Sequence, residues 1–299
     1  MARFPLRARV ACVLALSLGS LAGIAIIRSA EQGRTARADA VTAMTPAESG
    51  KAGQRRPATQ VPPQFSAPVK RFGSKAFSID GSVIPPRGNA VEVVRGLEAA
   101  ARQGDSHAAL LISLKLTECF SILAQDGDYN VLMEDSHLTG GVEAAMKRQA
   151  ESLAQCEGLS QEDYQRRGEW LRLSADANNV LAQLLYARSF DVVIGSPAVM
   201  LKEPQRIIEY KGRAMDYLKR AASNGSTDAL YDLGGAYLNG ILTQRDGVRA
   251  YAYFAAGYKA DGRVKPWGME QLEASLSPQQ RSEAIPIAKE IYRECCEAY

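Results

Sequence analysis

Three stretches of this chain align without a gap, and their shared columns limit what it can fold into. Leu97–Ile112 reads LEAAARQGDSHAALLI, Leu171–Tyr186 reads LRLSADANNVLAQLLY, and Leu218–Leu233 reads LKRAASNGSTDALYDL. Ala101, Ala175 and Ala222 share one column, and Gly104, Asn178 and Gly225 share another. Asp105, Asn179 and Ser226 follow at once, with Ala108, Ala182 and Ala229 three positions further on. A helix commonly ends on a residue in the left-handed conformation, which Gly adopts freely and Asn next best. Asp, Asn and Ser are favoured N-caps, because their side-chain oxygens satisfy free amides of the helix that follows. Each stretch is therefore expected to be two helices joined by a turn at Gly104, Asn178 or Gly225. The alanine columns let the two backbones approach closely. Further starts are expected at the capping boxes Asn89-Ala-Val-Glu92 and Ser277-Pro-Gln-Gln280, and at Ser160-Gln-Glu-Asp163, a looser version of the same pattern.

Residues 218–254 carry a longer pattern: Ala221, Ala222, Gly225, Ala229, Leu233, Gly234, Tyr237 and Gly240, then Asp246, Ala250 and the aromatics Tyr251, Tyr253 and Phe254. This resembles the Sel-one-like repeats, relatives of the tetratricopeptide repeats. The two earlier units match in their first halves. Their turns lie 74 and then 47 residues apart, against a family period in the middle thirties, so insertions are expected. One covers Gln125–Gly158, with an extra helix from about Gly141 to Gln155; the other is the apolar stretch Asp191–Pro204. The resemblance implies an all-α fold, an α-solenoid of helix-turn-helix repeats with insertions over residues 89–299. It also implies an adaptor role rather than a chemistry. Solenoids usually bind partners on a concave face, and Trp170, Tyr186, Tyr231 and Tyr237 are the candidate partner contacts.

The part before residue 89 reads differently. Residues 1–9 are basic, with Arg3, Arg7 and Arg9. Residues 10–27, VACVLALSLGSLAGIAII, are apolar and uncharged, at the short end of a membrane span. They are read as a signal anchor or transmembrane helix, with a cleaved signal peptide as the alternative. Leu21-Ala22-Gly23 resembles a lipoprotein cleavage box, but Ile24 stands where the lipidated Cys must be. Residues 28–88 contain seven of the thirteen prolines and read as a disordered, Pro-rich basic linker. From Arg28 to Ala90 there are ten basic residues against four acidic, so the folded remainder is net acidic. A nucleic-acid-binding domain concentrates its Lys and Arg on the folded part. None is expected to bind here, and the membrane is expected to be met through the N-terminal helix alone.

Of the five cysteines, Cys12 lies in the apolar segment. The other four are even in number and suit an oxidising compartment. Cys119 falls near the end of a helix and Cys156 at the end of the inserted one, so a bridge between them would staple the insertion to the first repeat. Cys295 and Cys296 are adjacent; free thiols or intermolecular pairing are expected there. His107 and His137 are the two histidines, and neither has a partner at ligand spacing. Asp126-Gly-Asp128-Tyr-Asn130 begins like a calcium loop, but Val131 and His137 replace its required Gly and Glu. No serine-hydrolase elbow, phosphate-binding loop or zinc-protease motif is present. The expected function is a non-catalytic protein–protein interaction scaffold with a protein or peptide partner and without cofactor or metal. Its expected place is the bacterial inner membrane, single-pass, with the repeats in the periplasm. The alternatives are an envelope hydrolase for the function and a secreted or periplasmic protein for the location.

Overall fold

A computed structural model describes residues 63–125, 133–137, 140–195, 202–263, 265 and 268–297. The apolar segment 10–27, most of the linker and the Asp126–Asn130 stretch lie outside it. Three helix pairs follow one another: α1 (Ala90–Arg102) with α2 (Ser106–Ala124), α5 (Arg167–Asp176) with α6 (Val180–Arg188), and α8 (Pro204–Ser223) with α9 (Thr227–Asn239). Between the first two lie α3 (Val142–Gln155) and α4 (Gln161–Gln165), and α7 (Phe190–Ile194) follows α6. The chain closes with α10 (Gly247–Asp261), α11 (Met269–Ser275) and α12 (Pro278–Cys296). Successive pairs pack in order, α2 on α5, α6 on α8, α9 on α10 and α10 on α12. The described part is all-α apart from one small hairpin.

The pairs are built by their turns. Gly104, Asn178 and Gly225 have φ of 98°, 64° and 106°, the left-handed region. At each turn the N–H of this residue and of the next reach back to the last helical carbonyls. Gly104 N bonds Ala101 O at 3.1 Å and Asp105 N bonds Ala100 O at 3.0 Å. Asn178 and Asn179 repeat this on Ala175 and Ser174, and Gly225 and Ser226 on Ala222 and Ala221. This is the Schellman arrangement three times over. The residue that completes it then caps the next helix. The side chain of Asp105 accepts from His107 N and Ala108 N, that of Asn179 from Ala182 N, and that of Ser226 from Ala229 N. The alanine columns beside the turns are all buried, where a small side chain allows close approach of the paired helices.

The segment 63–88, read from sequence as part of a disordered linker, is ordered, and the folded domain begins before residue 89. Here β1 (Val69–Phe72) pairs antiparallel with β2 (Ala76–Ile79). This segment is held by two of the turns just described. Gln64 N donates to Asn178 O at 3.0 Å and Gln64 O accepts from Val180 N at 3.0 Å. Phe77 N donates to Gly225 O at 2.9 Å, and Thr227 Oγ1 donates to Phe77 O at 3.2 Å. Phe77 is only 1% exposed and joins the core with Leu218, Leu230 and Leu233. Two four-residue strands bordered by prolines carry little period-2 signal of their own. Their order comes from tertiary hydrogen bonds and one aromatic anchor.

The insertion is stapled. The sulfurs of Cys119 and Cys156 are 2.10 Å apart, joining the C-terminal part of α2 to the end of α3. One helical turn before Cys119, Lys115 is 1% exposed and donates to Glu118 Oε2 at 2.9 Å and Gln155 Oε1 at 3.3 Å. A buried ammonium without such partners would be costly. Cys295 and Cys296, expected as free or intermolecular thiols, are paired with each other, 2.25 Å apart. Both are buried in the core with residues of α10, which keeps them from a second chain. By length and composition α2 is apolar enough to cross a membrane. Its Ala108, Ala109, Ile112 and Leu116 are buried in a cluster with residues of α1 and α5.

Two tests follow from these turns and this staple. A Cβ at Gly104 meets nothing within 4 Å, whereas one at Gly225 falls 2.4 Å from Lys75 O. Gly104→Ala should cost about 1 kcal/mol of left-handed strain and Gly225→Ala at least about 3 kcal/mol, measured by urea unfolding. Equal costs would mean that the hairpin does not seat on the turn. Replacing Cys119 and Cys156 by Ser opens a loop with a separation of 37 residues. The loss expected in the chain-entropy description is about 3–4 kcal/mol, and an unchanged unfolding midpoint would contradict it.

Candidate interaction groove

The partner-contact candidates read from sequence lie mostly in the core. Trp170 is 1% exposed, lying under the guanidinium groups of Arg102 and Arg166 at 5.0 and 5.3 Å from its ring. Tyr186 is buried between Tyr210, stacked at 5.5 Å, and Tyr217, edge-on at 4.9 Å. Tyr237 is buried and stacks on Tyr253 at 5.6 Å. Tyr231 is half-buried, with Arg263 over its ring and its hydroxyl on Asp261 at 2.9 Å. Burial, then the Asp261 hydrogen bond, pushes its phenol well above the usual range. Helical spacing of aromatics cannot separate an inward from an outward face without knowing where neighbouring pairs pack, and here it pointed to layers between them.

An apolar concavity opens elsewhere. A groove of about 490 Å³ sits where α6 ends, α8 begins and α9 ends. These are the ends of the helices remote from the Asn178 and Gly225 turns. Its walls are Ala187 and Arg188 of α6, Phe190 of α7, Ile207, Tyr210 and Lys211 of α8, and Asp232, Gly235 and Asn239 of α9, with Ile241 and Leu242 beyond. The lining is predominantly apolar. Ile241 on the wall and Ile208 beside Ile207 are both 64% exposed.

The chain positions these groups by local rules. Gly240, left-handed at φ 71°, ends α9 and turns Ile241 and Leu242 over the groove. Tyr210 is fixed by donating from its hydroxyl to Ala187 O at 2.9 Å and by the edge of Phe190 at 5.1 Å. Burial, chiefly, drives its phenol far upward, so it is neutral at any physiological pH. Arg188 Nε meets Asp232 Oδ2 at 2.8 Å. Burial raises the Asp232 carboxyl, and Arg188 opposes the rise.

Two adjacent glycines of α9 have opposite surroundings. A Cβ on Gly234 would sit 2.5 Å from the Phe254 ring, so α9 and α10 require its absence. A Cβ on Gly235 would meet nothing within 4 Å, and Gly235 lines the groove. Packing therefore excludes a side chain at 234 and not at 235, and the second glycine is a signal of the groove that sequence reasoning missed. Among the described residues no cluster of His, Cys, Asp and Glu is arranged to hold a metal ion. His107 lies exposed in the first turn of α2, and His137 is exposed as well.

No known protein-family pattern matches the chain, and no curated protein matches it.

The glycine pair gives a direct test. Gly235→Ala should stabilise the protein by about 1 kcal/mol, the helix-propensity difference. Gly234→Ala should destabilise it by about 1–3 kcal/mol through overpacking against Phe254. Thermal unfolding of the two variants checks both signs, and a loss of stability in Gly235→Ala would mean that the groove floor is needed by the fold.

Proposed function

We propose that this protein is a non-catalytic interaction scaffold of the bacterial cell envelope, built as a Sel-one-like α-solenoid. In this reading residues 10–27 hold it in the inner membrane and the helix pairs stand in the periplasm. The observation that carries the interaction role is the apolar groove between α6, α8 and α9, with Ile208 and Ile241 left largely in solvent beside it. Exposed apolar surface next to a concavity is what a binding site for another protein requires. The three turn-and-cap units support the family reading. Paired cysteines are compatible with an oxidising compartment.

The test places a photocrosslinkable amino acid at Ile241 in the full chain, in living cells. Discrete adducts to another protein are expected on irradiation. They should disappear when Gly235→Leu fills the groove, at a position where a Cβ meets nothing within 4 Å. Absence of adducts, or adducts indifferent to Gly235→Leu, would remove the groove as an interaction site.

A further inference from the structure

The groove also carries information about the chemistry of what enters it. Three charged side chains line it: Arg188, Asp232 and Lys211. Arg188 and Asp232 neutralise each other at 2.8 Å. Lys211 stands half-buried on α8, and among the described residues no carboxylate pairs with it. The lining therefore presents a sheet of apolar side chains and one uncommitted positive charge.

We infer that the groove's occupant is a short apolar segment of a partner protein bearing an acidic residue that meets Lys211. This rests on the reading of the groove as an interaction site and adds the identity of the ligand class. The argument is one of desolvation. Any segment that covers Ile207, Tyr210 and Ile241 also takes water from Lys211, which lines the same groove. A purely apolar segment leaves that charge covered and unpaired, which is costly. A basic segment adds repulsion from Lys211 in surroundings where water screens it poorly. An Asp or Glu in the segment restores the lost solvation with a charge-assisted hydrogen bond. The Asp232–Arg188 pair works in the same direction, because it keeps Asp232 from serving Lys211 itself. The open space over Gly235 gives one large apolar side chain of the segment a place in the floor.

The experiment selects a random dodecapeptide library on the purified full chain and compares it with the Gly235→Leu and Lys211→Glu variants. Expected are peptides rich in Leu, Ile or Phe with a recurring Asp or Glu. Their affinity should fall about tenfold or more on Lys211→Glu and disappear on Gly235→Leu. Lys211→Met, which keeps the length and removes the charge, should give an intermediate loss, and it stands in if the charge reversal disturbs folding. Peptides sensitive to Gly235→Leu but without acidic preference, and indifferent to Lys211→Glu and Lys211→Met, would overturn this inference and leave the scaffold reading intact. Selection that yields no Gly235→Leu-sensitive binder would overturn both.

Discussion

The left-handed residue between paired helices is the point on which this structure turns. At Asn178 and Gly225 it reverses the chain and aligns two amides on the preceding helix. It also leaves its own carbonyl facing outward. That carbonyl accepts the hydrogen bond of Gln64 in one case and of Phe77 in the other. One backbone conformation thus ends a helix, starts the next and offers an acceptor to a remote part of the chain. Asn178 extends the role through its side chain, whose Oδ1 accepts from Gln183 Nε2 at 3.0 Å and from Asn224 Nδ2 at 3.1 Å. Glycine at that position would relax the backbone and remove the acceptor of Asn224 Nδ2, while Gln183 Nε2 would keep Ala175 O at 3.2 Å.

The helix pairs were legible because their signals are local. A left-handed residue, a cap and an alanine column each depend on neighbours within one helical turn, so three aligned copies disclose them. The hairpin was not legible, since nothing near Gln64 or Phe77 in the chain marks them as strand. Their partners lie more than a hundred residues on, and proline content dominates the local reading. The burial of three of the four aromatic candidates was hidden for a related reason. Trp170, Tyr186 and Tyr237 obey helical spacing, but spacing does not say which side of a helix meets the next pair. The groove was the least visible feature. It needs the ends of three helices to converge, and its one trace in the sequence is a second glycine beside an indispensable one.

Charge is distributed in two distinct ways. Around Arg263 it is fully consumed. The guanidinium reaches Asp228 Oδ1 at 2.9 Å, Asp261 Oδ2 at 2.6 Å and Thr227 Oγ1 at 2.8 Å. Asp228 in turn accepts from Ile79 N at 2.7 Å. This network ties the hairpin to α9 and α10 and leaves nothing for a ligand. In the groove the pairing of Arg188 with Asp232 stops one residue short of neutrality. A network that closes on itself specifies a fold, whereas one that leaves a charge over has capacity for something outside it.

The hairpin's position in the chain has a consequence for synthesis. The bond from Ile79 N to Asp228 joins residues 149 apart, and the bond from Thr227 Oγ1 to Phe77 O joins residues 150 apart. The N-terminal strands therefore leave the ribosome long before the turn that receives them exists. At elongation rates of about 5–20 residues per second, Phe77 waits about 7–30 seconds for Gly225. Throughout that interval a short apolar strand is exposed next to helices that are already able to pair. Docking of the hairpin is thus delayed until α9 exists, by the order of translation rather than by the strength of its contacts, and α10 and α12 complete the same core after it.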